Sequence, residues 1–259
     1  MYWKQSPQVI SRPTEMSAVP DHLHWNLWLG PAPARPYHSA YHPHDWRGWW
    51  DFGTGALGDM ACHTANLPFM ALQLGLPTRV QAVSSEVNAE TYPSWATITY
   101  QFPAHGDRPP VKLVWYEGSE NGKRNLPAFT FPGVGELTDS GSMLVGSKGR
   151  LYSPGDSGDV QRLDIKGQAK TTEPSIERLG HEVGPDENQK REWIRAIQGG
   201  SAPLSNFDYA SVLTEAMLLG NVAVRTGKPL EYDGETGTVT NHPNAASLIN
   251  PPVRKNWKL

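Results

Sequence analysis

A chain of 259 residues with 38% hydrophobic and 19% charged residues is long enough to bury a core and too apolar to be disordered as a whole. A formal charge of −3 offers no basic face for a polyphosphate, which argues against nucleic acid as a partner. The single Cys62 cannot close a disulfide within the chain, so a core has to supply the stability. No run approaches the roughly 18 apolar residues of a membrane span, and the opening MYWKQSPQVISRPTEM lacks the apolar centre of a signal peptide. No membrane partner is expected. The chain as given is expected in the cytoplasm, export of a longer parent being a separate question.

Prolines at 7, 13, 20, 31, 33, 36 and 43 forbid long helix and interrupt any sheet, so residues 1–58 are predicted to form an extended, surface-wrapping arm and loop with a helical turn at 23–29. Six of the ten tryptophans and six of the nine histidines lie before residue 64, which concentrates any chemistry there. Residues 59–74 repeat apolar side chains at three-to-four spacing and predict a helix, bent or restarted at Pro68. Residues 79–87, 96–102 and 111–117 are rich in β-branched and aromatic residues and predict strands. Asn121-Gly122 signals a tight turn, and 142–145 with 150–152 a hairpin. Residues 155–184 are polar and predict a long excursion with a short strand at 160–165. Helices follow at 187–197 and 209–226, the second with a continuous apolar stripe ended by Gly227. The body of sheet and helices runs over 59–233, and 234–259 is a polar tail. No linker divides the chain, so 1–259 reads as a single domain of α+β class. It has an open, mostly antiparallel sheet, helices packed on one face and a Pro/Trp-rich N-terminal arm.

No G-x-G-x-x-G follows a strand, and P-loop, zinc-protease, C-x-x-C and nucleophile-elbow motifs are absent. What remains is GTGALGDMACH at 53–63, where Asp59 and His63 stand four apart and project from one helical face. An aspartate one turn before a histidine can orient an imidazole for general acid–base work, and equally it can be an N-terminal acid beside a histidine capping the core. His38, His42 and His44 with Asp45 have a spacing compatible with a metal, but the Pro-rich loop favours hydrogen bonding to a polar ligand or to backbone. The tryptophans at 25, 28, 46, 49 and 50 can anchor the arm or stack on sugar rings. Cys62 reads as a small buried residue. Arg35, Arg47, Lys112 and Arg150 are possible anion contacts that the sequence does not rank.

The stretch WNLWLGPAPARPYHSAYHPHDWRGWWDFGTGALGDMACH, with PPVKLVWYEG, GSMLVGSKGRLY and SNFDYASVLTEAMLLGNVAVRTGKPLEYD, resembles the C-terminal half of oxidoreductases of the glucose-fructose oxidoreductase, inositol dehydrogenase and rhizopine catabolism (Gfo/Idh/MocA) family. The resemblance runs over essentially the whole chain, and its closest likeness is to the branch common in sugar-degrading bacteria. It implies an open-sheet α/β domain that binds substrate and forms homo-oligomers. It also implies that Asp59 and His63 match the family's D-x-x-x-H, with His63 as acid or base and Asp59 orienting it or binding a hydroxyl. His38, His42, Trp46, Arg47 and Trp49 then become candidate substrate contacts. Two departures stand out. Asn66 replaces a further aspartate, and the Rossmann half, with its dinucleotide fingerprint and E-K-P lysine, has no counterpart here.

The expected function is therefore the substrate-binding and catalytic half of an NAD(P)-dependent oxidoreductase acting on a sugar, sugar acid or cyclitol. The chain alone is expected to bind neither NAD nor NADP, to hold no metal, and to be inactive, as a truncated product or as one subunit of a pair. Alternatives are a non-catalytic carbohydrate-binding or scaffold subunit, half of a redox-assisted glycosidase, and a metal-dependent hydrolase using His38, His42, His44 and Asp59.

Overall fold

The arm does not stay on the surface. In the computed structural model, which describes residues 2–3, 11–156, 161–165, 168–172, 185–255 and 257, Tyr2–Trp3 (β1) lies inside the sheet. It runs parallel to the strand Val111–Glu120 and antiparallel to Ser140–Gly146. Further along the arm come a short helix, Trp25–Leu29 (α1), and a 3-10 turn, Asp45–Gly48.

The helix expected over 59–74 is two helices, Gly55–Thr64 (α2) and Asn66–Leu72 (α3). The break falls at Ala65 and not at Pro68. Pro68 is the third residue of α3, within the first turn, where a missing N–H breaks no helical bond. Gly55 begins α2 four residues before the expected start, with a positive φ of 64.

Strands Arg79–Ser84 (β2), Trp95–Phe102 (β3) and Val111–Glu120 (β4) follow as antiparallel neighbours. In β3, Ala96, Ile98, Tyr100 and Phe102 are buried and Gln101 is exposed, the period-two pattern of a sheet covered on one face. Asn121 and Gly122, both at positive φ, turn β4 into Lys123–Arg124 (β5). The predicted hairpin is Ser140–Gly146 (β6) with Gly149–Pro154 (β7). Two further strands, Gln161–Ile165 (β8) and Gln168–Thr172 (β9), occupy part of the expected polar excursion. Residue 160, where the strand was expected to begin, lies outside the described residues, as do residues 173–184.

Helices Pro185–Ile197 (α4) and Phe207–Thr226 (α5) stand where helices were expected. Asn206 caps α5, its Oδ1 accepting from the Tyr209 N–H at 3.1 Å, and Gly227 closes it at a φ of 62. Leu230–Asp233 (β10) and Thr238–Val239 (β11) pair at the sheet's edge, and the polar tail carries both β11 and Ala245–Ile249 (α6). Among the described residues the strand order is β11-β10-β2-β3-β4-β1-β6-β7-β8-β9, with β5 beside β4. Among the described strands only the β1–β4 pair is parallel. Helix α5 lies over β2 and β3, and α2 packs on α5 and reaches β1 and β6. Leu213, Ala216, Met217, Gly220, Ala223 and Val224 form the buried stripe of α5. Helix α4 differs, because its Trp193, Ile194 and Ile197 are exposed. No described helix is long and apolar enough to cross a membrane.

Candidate functional site

The N-terminal end of α2 is held from below. Glu117, on β4 and fully buried, accepts from the Trp115 indole N–H at 2.9 Å, while its Oε1 has no hydrogen-bond partner. Burial pushes its carboxyl up to about 7, against the opposing influence of the Trp115 indole, the Tyr92 hydroxyl and the Leu57 amide. The Tyr92 hydroxyl donates to Asn221 Oδ1 at 2.8 Å, and Asn221 Nδ2 donates to the Thr54 carbonyl at 3.0 Å. One polar network therefore ties β4, α5 and the start of α2 together. The network positions the helix that carries the Asp59–His63 pair.

On the outside of α2, Asp59 and His63 are both exposed, one turn apart. The partner that Asp59 takes is Arg47. Its Nε donates to Asp59 Oδ2 at 3.1 Å, its Nη1 donates to the His44 carbonyl at 3.0 Å, and its guanidinium lies 4.7 Å from the centre of the Trp46 ring. The 3-10 turn thus brings Trp46 and Arg47 onto the face that holds Asp59. Cys62 is exposed rather than buried, its thiol donating to the Asp59 carbonyl, and desolvation together with the Asp59 charge raises the thiol's pKa.

The other candidates lie in a separate aromatic cluster. Trp49 is 1% exposed, donates its indole N–H to the Ala40 carbonyl at 3.0 Å and meets the Tyr41 ring edge-on. His38 Nδ1 accepts from the Ala40 amide at 3.0 Å, and its ring stands edge-on to Tyr41. His42 stands edge-on to Trp28, which stacks on Trp25. Arg35 lies under Tyr41 and Phe52, 6% exposed, and pairs with Asp51 and Glu90. Arg150 pairs with the buried Asp164, while Lys112 is exposed on β4. His44 pairs with Asp45, both of them exposed. Among the described residues no three His, Cys, Asp or Glu side chains gather as a metal site.

The glycines before α2 do not cradle a phosphate. A Cβ on Gly53 would sit 2.5 Å from the Arg47 carbonyl oxygen, and one on Gly55 would sit 2.4 Å from the Tyr92 ring. The protein itself fills the space that a pyrophosphate would need, and a loop rather than a strand leads in. These residues do not fit a dinucleotide.

A cavity of about 660 Å³ lies elsewhere, between α5, the arm and the segment after α6. Trp50, Asp51, Glu215, Arg225 and Tyr232 line it, and none of the Asp59–His63 group does. Sequence reading missed it because its walls come from three distant segments. Glu117 was also missed, although Leu113, Trp115 and Glu117 stand at period two and so share the inner face of β4.

Residues 2–111 match the Gfo/Idh/MocA family model described as "Oxidoreductase family, C-terminal alpha/beta domain", so the resemblance read from the motifs holds over the arm, α2, α3 and the first strands. No curated protein matches the chain. Among solved structures, an NAD-binding protein from Listeria innocua is similar at 14% identity and a TM-score of 0.47, over 77% of this chain and 54% of its own. The WlbA dehydrogenase from Bordetella pertussis, solved with NADH and UDP-GlcNAcA, is similar at 15% identity and a TM-score of 0.44, over 75% and 50%. An oxidoreductase from Agrobacterium radiobacter, solved with NAD+, L-tartaric acid and magnesium, is similar at 13% identity and a TM-score of 0.35, over 66% and 49%. The chain spans about half the length of these structures.

Proposed function

We propose that this chain is the substrate-binding and proton-handling half of an NAD(P)-dependent oxidoreductase acting on a sugar, sugar acid or cyclitol. The observation that carries the reading is the grouping of Trp46, Arg47, Asp59 and His63 on one exposed face of α2, above a buried polar network. A nicotinamide held by a separate domain would supply the hydride acceptor for carbinol oxidation, and this chain's part would be the hydroxyl proton. His63 accepts that proton through its imidazole. Asp59, held by Arg47, offers its second oxygen to a neighbouring substrate hydroxyl, and the Trp46 ring provides an apolar wall. His38, His42 and Trp49 act at a distance in this reading, by stiffening the loop that ends in Trp46 and Arg47.

Joining the chain to a family Rossmann domain tests the reading. Polyol-dependent reduction of NAD or NADP is expected from the joined protein. Its absence across a panel of aldoses, uronates and inositols, with both domains folded, favours a non-catalytic carbohydrate-binding or scaffold subunit. A redox-assisted glycosidase would instead release an aglycone from glycosides without net turnover of the nicotinamide.

The proposed assembly is a homo-oligomer through the sheet face opposite α5. That face carries half-buried Thr97 and Thr99 beside exposed Gln101 and Lys112, a mixed surface able to pack on a second copy. Light scattering at micromolar concentration is expected to give a dimer or larger species. A monomer contradicts this assignment.

A further inference from the structure

The cavity along α5 has fixed walls and one unmatched charge. The segment after α6 forms one wall and is latched to the arm by Arg254. Its amide donates to the Pro31 carbonyl, Nη1 to Asn26 Oδ1 at 2.8 Å, and Nη2 to the Asn26 and Gly30 carbonyls. Asn221, bound to Tyr92 and Thr54, fixes the floor. Between them Leu218, Leu219 and Val222 make an apolar strip, faced by Pro251 and Pro252.

The two ends differ in charge. At one end the Tyr232 hydroxyl donates to Glu215 at 2.5 Å, which gives that carboxylate a partner. At the other, ten residues and so about 15 Å along the helix, Arg225 lies 5.0 Å from the centre of the Trp50 ring. Around Trp50, Arg12, Arg35 and Arg225 meet only two carboxylates, Asp51 and Glu90, and Arg12 and Arg35 take both. Arg225 is left without a hydrogen bond or ion pair among the described residues. Burial lowers its pKa, with Asp51 acting in the opposite sense. An exposed guanidinium lying over an indole, with its donors free, matches a carboxylate. The volume lies within the range of small-ligand pockets and is too small for a folded partner.

We propose that this cavity binds a small amphipathic carboxylic acid, with its carboxylate on Arg225 and its apolar body along Leu218, Leu219 and Val222. The site is separate from the Asp59–His63 face and does not depend on the function proposed for it. Polyhydroxylated acids fit it poorly, because the strip offers their hydroxyls no partners and would strip them of water.

The test is a titration of the chain with octanoate, followed through the Trp50 indole and the methyl resonances of Leu218, Leu219 and Val222. Octanol, which lacks the charge, and gluconate, which lacks the apolar body, are the controls. Octanoate is expected to saturate in the submillimolar range and to shift these resonances, with both controls weaker by about tenfold or more. Arg225→Gln should weaken octanoate by a similar factor with an unchanged melting temperature, while Arg225→Lys keeps part of the affinity. Equal affinity for octanol and octanoate overturns the proposal, as does undiminished binding by Arg225→Gln. Shifts led by the exposed Trp193 and Ile197 of α4, or no saturable shift at all, overturn it as well.

Discussion

Replacing Glu117 by glutamine is expected to stabilise the protein by about 2 to 3 kcal/mol at about pH 8 and to change it little near pH 4. The carboxyl is fully buried, and its pKa is raised from the ordinary 4.5 to about 7 because no cation or full set of donors offsets the lost hydration. The sign follows from linkage. A carboxyl whose folded pKa lies above its unfolded value binds a proton more tightly in the fold. Its contribution to stability is complete below the unfolded pKa and is lost as pH rises towards the folded one, so the loss falls between about 4.5 and 7. Glutamine carries no charge to desolvate and can still accept from the Trp115 indole. The groups facing Glu117 are the phenols of Tyr92 and Tyr100, both raised well above their ordinary value, so neither ionises in this window. Urea unfolding of both forms across pH checks the prediction, because every other carboxylate cancels in the difference. A difference that does not grow between pH 4 and 8 would show that Glu117 is already matched in the fold.

The largest effect on activity is expected at His63. In the protein joined to a Rossmann domain, His63→Ala should lower turnover by about a hundredfold or more, since a positioned acid–base group contributes on that scale. His63 is exposed on the last turn of α2, so the substitution leaves the core intact and the melting temperature close to that of the parent. Asp59→Asn should raise KM more than it lowers turnover. It keeps a hydrogen-bonding shape, but it frees Arg47 from its partner. Steady-state kinetics on the two variants separates the roles. Unchanged turnover in His63→Ala returns this residue to a surface position without chemistry.

The parts of the fold that were legible in the sequence are those governed by local periodicity. Strand β3 alternates cleanly because one face meets α5, and α5 itself carries an unbroken stripe ended by Gly227. Non-local pairings left no such trace. Two residues, Tyr2 and Trp3, are inserted between β4 and β6, which come more than a hundred residues later, and nothing in so short a run announces a strand. Pro68 drew attention as a helix breaker, yet the chain turns at Ala65 and places the proline where a first turn tolerates it.

The site was legible to a similar degree. The four-residue spacing put Asp59 and His63 on one face, but the ion pair of Asp59 with Arg47 depends on a 3-10 turn within a Pro-rich loop. Of the tryptophans, Trp49 is an anchor, while Trp46 is half-buried beneath Arg47 on the α2 face. Glu117 could have been found by counting in twos from Leu113, had an inward-facing carboxylate been taken at face value.

The central claim, that this chain supplies a substrate surface around His63 and leaves the dinucleotide to another domain, is tested most directly by titrating the isolated chain with inositol, glucuronate and NADH while following the His63 and Trp46 ring resonances. The account predicts saturable, weak shifts of both rings with a polyol or sugar acid. For NADH it predicts no affinity tighter than about millimolar, because Gly53 and Gly55 are packed against Arg47 and Tyr92 and offer no phosphate cradle. Micromolar NADH binding, or polyol shifts that leave His63 and Trp46 unmoved, would contradict it.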